Sequence, residues 1–171
     1  QAAPTQVDAS GNVMQHDQGN GQELLDVLGA RFAAELLDTL AHMVPVPCDT
    51  ASGDVCAVRL PGQQRGDFHS LRPQRTYTYA PASDEEVQLN ILHWGDVVLV
   101  GTEPELSSSF GTQVRALAPH VVLATLVNGA KKYLPSSDAY DRVTYEAMNS
   151  SFGRGADTVL FQAISSAITN E

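Results

Sequence analysis

Residues 96–127, DVVLVGTEPELSSSFGTQVRALAPHVVLATLV, contain two apolar runs separated by a mostly polar segment. The runs at 96–101 and 121–127 are short and almost continuously apolar, which is typical of strands covered on both faces in the centre of a sheet. Residues 107–118 between them have the length and composition of a helix. The order strand, helix, strand predicts a right-handed crossover between parallel strands, and therefore an α/β fold.

Further periodic segments lie on both sides of this stretch. Residues 22–43 place large apolar side chains at three- and four-residue intervals, which predicts a helix, and residues 157–168 predict another. Residues 55–60, 76–79 and 86–93 have the alternating or apolar character of half-buried strands. Together with the crossover, these segments predict a mixed, partly parallel sheet flanked by helices.

Composition limits the size of the domain and the class of its partners. A chain of 171 residues with 43% hydrophobic residues fits one compact domain, which buries roughly 70% of the surface of its unfolded chain. The first 20 residues are polar and predict an extended or disordered leading segment. The net charge of −10 would repel a phosphate backbone, so we expect no nucleic-acid partner.

Cys48 and Cys56 are the two cysteines of the chain, and they flank a polar, turn-rich segment. A disulfide between them would close a short loop and contribute about 2–3 kcal/mol. Two free thiols are the alternative, and two thiols alone do not make a structural zinc site. The expected disulfide favours secretion or another export compartment.

Polar sequence follows each apolar run at once: TEPELSSS after the first and NGAKKYLPSSDAYDRVTYE after the second. In open sheets with parallel strands, functional sites lie beyond the carboxyl ends of the strands. We therefore expect the functional site in these two segments.

These segments resemble the motifs of the neutral, non-lysosomal ceramidases. In that family a buried strand ends in Gly-x-Pro-Gly-Glu, and residues 101–105 read Gly-Thr-Glu-Pro-Glu. The family then has Asn-Gly-Tyr-x-x-Tyr, where residues 128–133 read Asn-Gly-Ala-Lys-Lys-Tyr. A Tyr-Glu pair and an aromatic-Gly pair follow, here at 145–146 and 152–153. The resemblance covers residues 20–45 and 85–170, and it identifies 21–171 as the carboxy-terminal part of a ceramidase-like domain.

The resemblance implies a zinc-dependent amide hydrolase. Zinc would be bound by Glu105 and Tyr133 of this chain and by two histidines of an amino-terminal half that completes the fold. The pKa of a bound water falls from about 9 toward about 7, and that water attacks the amide carbonyl. Tyr145 would donate its hydroxyl to the developing oxyanion. The implied substrate is an N-acyl sphingosine or a smaller N-acyl amide, and a lipid substrate implies peripheral contact with a membrane.

Other interpretations of these positions stay open. A glutamate before a helix commonly complements the helix dipole, and boundary tyrosines commonly bury the ring and leave the hydroxyl in water. Pro104 replaces a glycine of the family and Glu103 is an additional acid, so Glu103 is an alternative ligand. Ala130 replaces a tyrosine, and Lys131 and Lys132 change the charge near the site. The alternative functions are therefore a degenerate ceramidase-like domain with a binding or structural role and no catalysis, or an unrelated α/β domain.

The five histidines could bind a metal ion, and the sequon could carry a glycan. No histidines form an HxH, HxxH or HExxH pair, so we interpret each as structural or solvated; they are His16, His42, His69, His93 and His120. The glycosylation sequon at Asn149 lies near the implied site, where a glycan would interfere, so we expect it to be unmodified.

The start of the chain bears on its processing. The chain begins with Gln1 rather than Met, so we expect that an upstream segment has been removed. Residues 2–5, Ala-Ala-Pro-Thr, resemble a remnant of the Gly-Asp-x-Ser-Pro stretch beside the zinc of the family. A processing cut there would leave two associated chains, and the boundary of an expressed fragment explains the same start.

Overall fold

The computed structural model describes residues 5–7, 13–16, 21–65 and 75–169, and the chain divides into two units, Gln1–Pro45 and Val46–Glu171. In the first unit, strands β1 (Thr5–Val7) and β2 (Val13–His16) pair antiparallel and are followed by helix α1 (Gly21–Ala41). Helix α1 confirms the prediction for residues 22–43. Residues 2–4, compared above with a family motif, lie outside the described residues.

The second unit is an α/β fold built on a four-stranded sheet. Its elements in chain order are β3 (Ala51–Gln63), β4 (Pro81–Trp94), β5 (Val97–Thr102), β6 (Glu105–Leu106), α2 (Ser108–Arg115), β7 (Val121–Thr125), β8 (Tyr133–Leu134), α3 (Ser137–Asp141), α4 (Tyr145–Met148) and α5 (Ala156–Thr169). The sheet has the order β3-β4-β5-β7, in which β5 and β7 are parallel and the other pairs are antiparallel. Because α2 connects two parallel neighbours, the predicted strand, helix, strand unit and the partly parallel sheet are confirmed.

Helices α2 and α5 pack on one face of this sheet and on each other. The hydroxyl of Ser107 caps α2 by accepting a hydrogen bond from the Phe110 N–H at 3.3 Å. The core between sheet and helices includes Leu60, Val87, Leu89, Val100, Val114, Phe152, Leu160 and Ile164. No helix in the described ranges combines the length and the apolar character needed to span a bilayer.

The opposite face of the sheet carries apolar side chains in the open. Leu92, Trp94 and Val122 are 39%, 50% and 50% exposed. We predicted that the runs at 96–101 and 121–127 form strands covered on both faces, whereas the described part of the second unit covers one face. An apolar run sends side chains to both faces of a strand, so its composition does not report how many faces are covered.

Residues 76–79 do not form the predicted strand. They lie in a coil segment, where the ring centroids of Tyr77 and Tyr79 are 4.8 Å apart. The Tyr79 ring also lies edge-on to Tyr140 at 5.0 Å. Aromatic and β-branched residues favour packed surfaces more than they favour an intrinsic extended backbone, and here the packing partner is another aromatic ring.

The structure does not form the predicted disulfide. Cys56 lies opposite Leu89 of β4, whereas the Cys48 thiol contacts the carbonyl oxygen of Trp94 at 3.5 Å. Leu89 and Trp94 are far apart along a strand that rises about 3.4 Å per residue, beyond the ~6 Å that Cα atoms of a disulfide span. Both thiols are free and exposed in the structure.

Candidate functional site

Two short parallel strands bring Glu105 and Tyr133 side by side. Strand β6 pairs with β8 in a register that sets Glu105 opposite Tyr133. The Glu105 N–H donates to the carbonyl oxygen of Lys132 at 2.6 Å. Because β6 follows β5 and β8 follows β7, the parallel strands of the main sheet deliver both residues to the same end of the sheet.

Glu105 and Tyr133 both present oxygen atoms that can bind a metal ion, and the two side chains repel one another when both are ionised. The Glu105 carboxylate is the main reason why the pKa of Tyr133 lies above its ordinary value. Partial burial raises that pKa further, as do Tyr145 and Glu146. A carboxylate and a phenol oxygen are acceptable zinc ligands, and a cation between them would offset this repulsion.

Tyr145 stands beside Tyr133 at the start of helix α4. The Thr144 hydroxyl caps this helix by accepting from the Ala147 N–H at 3.3 Å. The rings of Tyr133 and Tyr145 meet edge to face, with centroids 6.0 Å apart. The structure thus brings together all three residues singled out in the sequence.

A pocket of about 330 Å³ opens beside this group. Its lining residues are Glu105, Leu106, Ser107, Tyr133, Leu134, Pro135, Ser136, Ala139, Arg142, Thr144 and Glu146. Carboxylates, hydroxyls and the Arg142 guanidinium surround a floor that includes Leu134, which is 1% exposed. Arg142 is held by the carboxylate of Asp138 at 2.8 Å. A pocket of this size is at the small end of ligand-binding sites.

Buried polar side chains tie the α4 segment to the rest of the site. The Ser150 hydroxyl donates to the carbonyl oxygen of Tyr133 at 2.8 Å. The Gln63 amide donates to the carbonyl oxygens of Ala147 at 2.7 Å and Ser150 at 3.0 Å. Sequence reasoning missed Gln63 and Ser150. Ser150 stood out in the sequence only as the middle residue of the sequon at Asn149, which does not indicate a hydrogen bond to a distant carbonyl oxygen.

Tyr140 also forms a hydrogen bond to the segment that follows α4. Its hydroxyl donates to the carbonyl oxygen of Phe152 at 2.7 Å, and the residue is 3% exposed. Burial is the main cause that raises the pKa of Tyr140 to about 12. The neutral phenol is therefore the form that the fold stabilises.

This burial predicts a loss of stability at alkaline pH. The unfolded chain ionises Tyr140 near the ordinary pKa of 10.0 and the folded chain near 12, so rising pH favours the unfolded state between these values. The free energy of unfolding should fall by about 1.4 kcal/mol per pH unit from this residue alone. Urea denaturation at pH 8, 10 and 11 measures this fall, and Tyr140→Phe should reduce its slope. At pH 8 the same variant should lose about 1 kcal/mol with its hydrogen bond. An unchanged slope in Tyr140→Phe would contradict the assignment.

Two side chains that depart from the family pattern are directed away from the pocket. The Glu103 carboxylate accepts from the Gln88 N–H at 2.7 Å and lies over Gly129, where a Cβ would be 2.5 Å from its oxygen. The Lys131 ammonium donates to the carbonyl oxygen of Glu86. The alternative ligand Glu103 therefore already has another partner in this fold.

Strained backbone surrounds the site. The φ angles of Leu126, Asn128, Lys132 and Val143 are 58°, 58°, 55° and 52°. A residue with a side chain costs about 1–3 kcal/mol in this left-handed region, and such strain concentrates at functional sites. The first three lie in the connection from β7 to β8, and Val143 precedes the cap residue Thr144. The surrounding contacts therefore impose the backbone path that leads to Tyr133 and Tyr145.

Histidine ligands do not accompany Glu105 and Tyr133 in the described ranges. No three His, Cys, Asp or Glu side chains there form a group that could hold a metal ion. His42, which follows the last residue of α1, contacts the carbonyl oxygen of Asp38 at 2.7 Å. The side chain of His16 and the whole of His69 lie outside the described residues.

The fold of this chain is similar to that of known ceramidase structures. No protein-family model and no curated protein sequence matches the chain. Among solved structures, neutral ceramidase from Pseudomonas aeruginosa aligns with a TM-score of 0.64 at 14% identity, over 94% of this chain and 34% of that chain. The chain has a neutral-ceramidase-like fold. A ceramidase complexed with C2 aligns with a TM-score of 0.51 at 13% identity, over 70% of this chain and 30% of that chain.

The comparison confirms the resemblance at the level of the fold. The chain spans about a third of the length of the ceramidases that it matches. A neutral-ceramidase-like fold at this level of identity does not by itself define the reaction, because function depends on the site rather than on the fold.

Proposed function

We propose that the chain forms part of a zinc-dependent amide hydrolase that cleaves an N-acyl sphingosine or a smaller N-acyl amide. The observation that carries the proposal is the pairing of Glu105 with Tyr133 beside the Tyr145 ring. This group lies in a fold similar to that of a neutral ceramidase. The proposed activity is that of the whole protein, to which Glu105, Tyr133 and Tyr145 would contribute part of the active site.

Glu105 and Tyr133 fit the metal by the chemistry of their oxygen donors. The Glu105 carboxylate raises the pKa of Tyr133, and a divalent cation bound between the two side chains would favour the ionised phenol oxygen. Zinc, when bound, polarises a carbonyl group and lowers the pKa of water, which supplies a nucleophile at neutral pH. Two protein ligands are fewer than a zinc site needs, so we propose that two histidines come from an amino-terminal part of the protein.

The remaining residues would bind and polarise the substrate. The pocket beside Glu105 has an apolar floor at Leu106 and Leu134, which would exclude water from the amide group. The Tyr145 hydroxyl would donate to the oxygen of the amide carbonyl as negative charge develops there. A single well-placed donor of this kind is commonly worth about 10²–10³ in rate.

Metal analysis of the complete protein, purified with any associated chain, tests this proposal. We expect about one zinc per complex and hydrolysis of a short N-acyl amide or a ceramide that stops with a chelator and returns with added zinc. Undiminished hydrolysis by metal-free protein would refute the metal-dependent mechanism. A well-folded complex with neither zinc nor hydrolysis would instead support a binding or structural role.

A further inference from the structure

Asn149 is a buried amide that contacts the proposed oxyanion donor. Its side chain is buried, with the residue 3% exposed, and its nitrogen donates to the Tyr145 hydroxyl oxygen at 3.2 Å. Its carbonyl oxygen is buried and has no hydrogen-bond partner. Burying an unpaired polar atom costs about 1–3 kcal/mol, so a purely structural role would be served better by an apolar side chain.

The backbone around Asn149 holds this contact in place. Asn149 follows the last residue of α4, and its N–H donates to the carbonyl oxygen of Tyr145 at 2.9 Å. The next residue, Ser150, is 0% exposed, and its hydroxyl donates to the Tyr133 carbonyl oxygen and accepts from the Phe152 N–H. Asn149 and Tyr145 are therefore joined twice, and the segment that carries them is anchored to strand β8.

The direction of the hydrogen bond determines what Tyr145 can do. A phenol oxygen that accepts from the amide keeps its own proton for another acceptor. In the structure the amide nitrogen of Asn149, and not its oxygen, faces the Tyr145 hydroxyl. Tyr145 therefore accepts from Asn149 and can donate its own proton to another group.

We propose that Asn149 is a positioning residue that fixes the Tyr145 hydroxyl as the donor to the substrate carbonyl oxygen. The inference rests on the proposed function, since it names the residue that holds the Tyr145 hydroxyl in place in the same site. Asn149 does not touch the reacting atoms and acts through Tyr145. This role also explains why the sequon asparagine is buried with its nitrogen engaged, where a glycan cannot be attached in the folded chain.

The hydrogen bond can be tested without any activity. In isotope-labelled protein, Tyr145→Phe should shift the side-chain amide signals of Asn149 and speed their exchange with solvent. The Asn128 amide, which donates to the Asn90 side chain at 3.1 Å, is the internal control and should not move. Unchanged Asn149 signals would overturn the proposal even if the protein hydrolyses amides.

The kinetic role is tested by a double-mutant cycle in the complete protein. Asn149→Ala should lower kcat by roughly 10–100-fold with little change in KM, because a misplaced donor weakens transition-state binding. In a Tyr145→Phe background the same change should cost less than about twofold. Equal losses in both backgrounds would show a merely structural role and overturn the proposal.

A near-isosteric variant separates the two explanations further. Asn149→Asp keeps the shape but accepts a hydrogen bond from Tyr145, so kcat should fall at least as far as in Asn149→Ala. Activity near wild type in Asn149→Asp would overturn the proposal. If wild-type protein hydrolyses no amide while the NMR shifts appear, the proposed function fails and the hydrogen bond stands, so the two failures are distinguishable.

Discussion

Glu105→Ala is expected to lower the rate of amide hydrolysis by roughly 10³-fold or more, since loss of a Lewis acid removes several kcal/mol of transition-state stabilisation. Glu105 is one of the two proposed metal ligands of this chain, and its side chain is exposed. The fold should therefore change little, with a free energy of unfolding within about 0.5 kcal/mol of wild type. Zinc content and initial rate measured on the same sample should fall together.

Glu103→Ala is the matched control for this experiment. The two acids flank Pro104, but the Glu103 carboxylate binds the Gln88 N–H instead of lining the pocket. Zinc content should be retained, and the rate should change less than about tenfold. Full activity in Glu105→Ala would contradict the assignment. Loss of zinc in Glu103→Ala alone would exchange the roles of the two acids.

Gly62→Ala is expected to cause the largest loss of stability, roughly 3 kcal/mol or more. Gly62 lies at the irregularity in the pairing of β3 with β4, where a Cβ would be 1.9 Å from the backbone oxygen of Ser83. A backbone atom cannot turn aside as a side chain can, so the strands would have to separate. Gly62 also pairs with Phe152, so the damage should spread to the segment that carries Tyr145.

Gly53→Ala in the same strand is the control for this substitution. There a Cβ would lie 3.1 Å from the carbonyl oxygen of Ile91, which a shift of a few tenths of an ångström relieves. We expect a change below about 1 kcal/mol. Urea denaturation of both variants measures the difference. Similar stabilities would show that strands β3 and β4 move apart easily at Gly62.

The local sequence pattern predicted the strands and the helix that depend mainly on neighbouring residues. The apolar runs at 96–101 and 121–127 became β5 and β7, and the helix between them made their parallel pairing the expected one. The helix predicted at 107–118 is α2 (Ser108–Arg115), and the structure adds that the Ser107 hydroxyl caps its first turn. The segments that contain Glu105 and Tyr133 could be predicted because they follow these strands at the end where sites form, and the resemblance to the ceramidase motifs singled out the two residues within them.

Contacts between distant parts of the chain were beyond sequence reasoning. Gln63 lies at the end of β3, far in sequence from the α4 segment whose carbonyl groups it binds. The residues next to Gln63 in the sequence do not indicate that its side chain binds two distant carbonyl groups. The cysteine prediction was wrong for a related reason, since short spacing along a chain says little once one cysteine enters a long strand. The pairing of β3 with β4 carries Cys56 away from Cys48.

The carboxylate of Glu103 over Gly129 also has an evolutionary consequence. A Cβ at 129 would lie 2.5 Å from one oxygen of the Glu103 carboxylate, while the other oxygen accepts from the Gln88 N–H. The flexible Glu103 side chain can move aside, but it would then give up this hydrogen bond. In related sequences, a larger residue at 129 should therefore occur more often together with a shorter residue at 103.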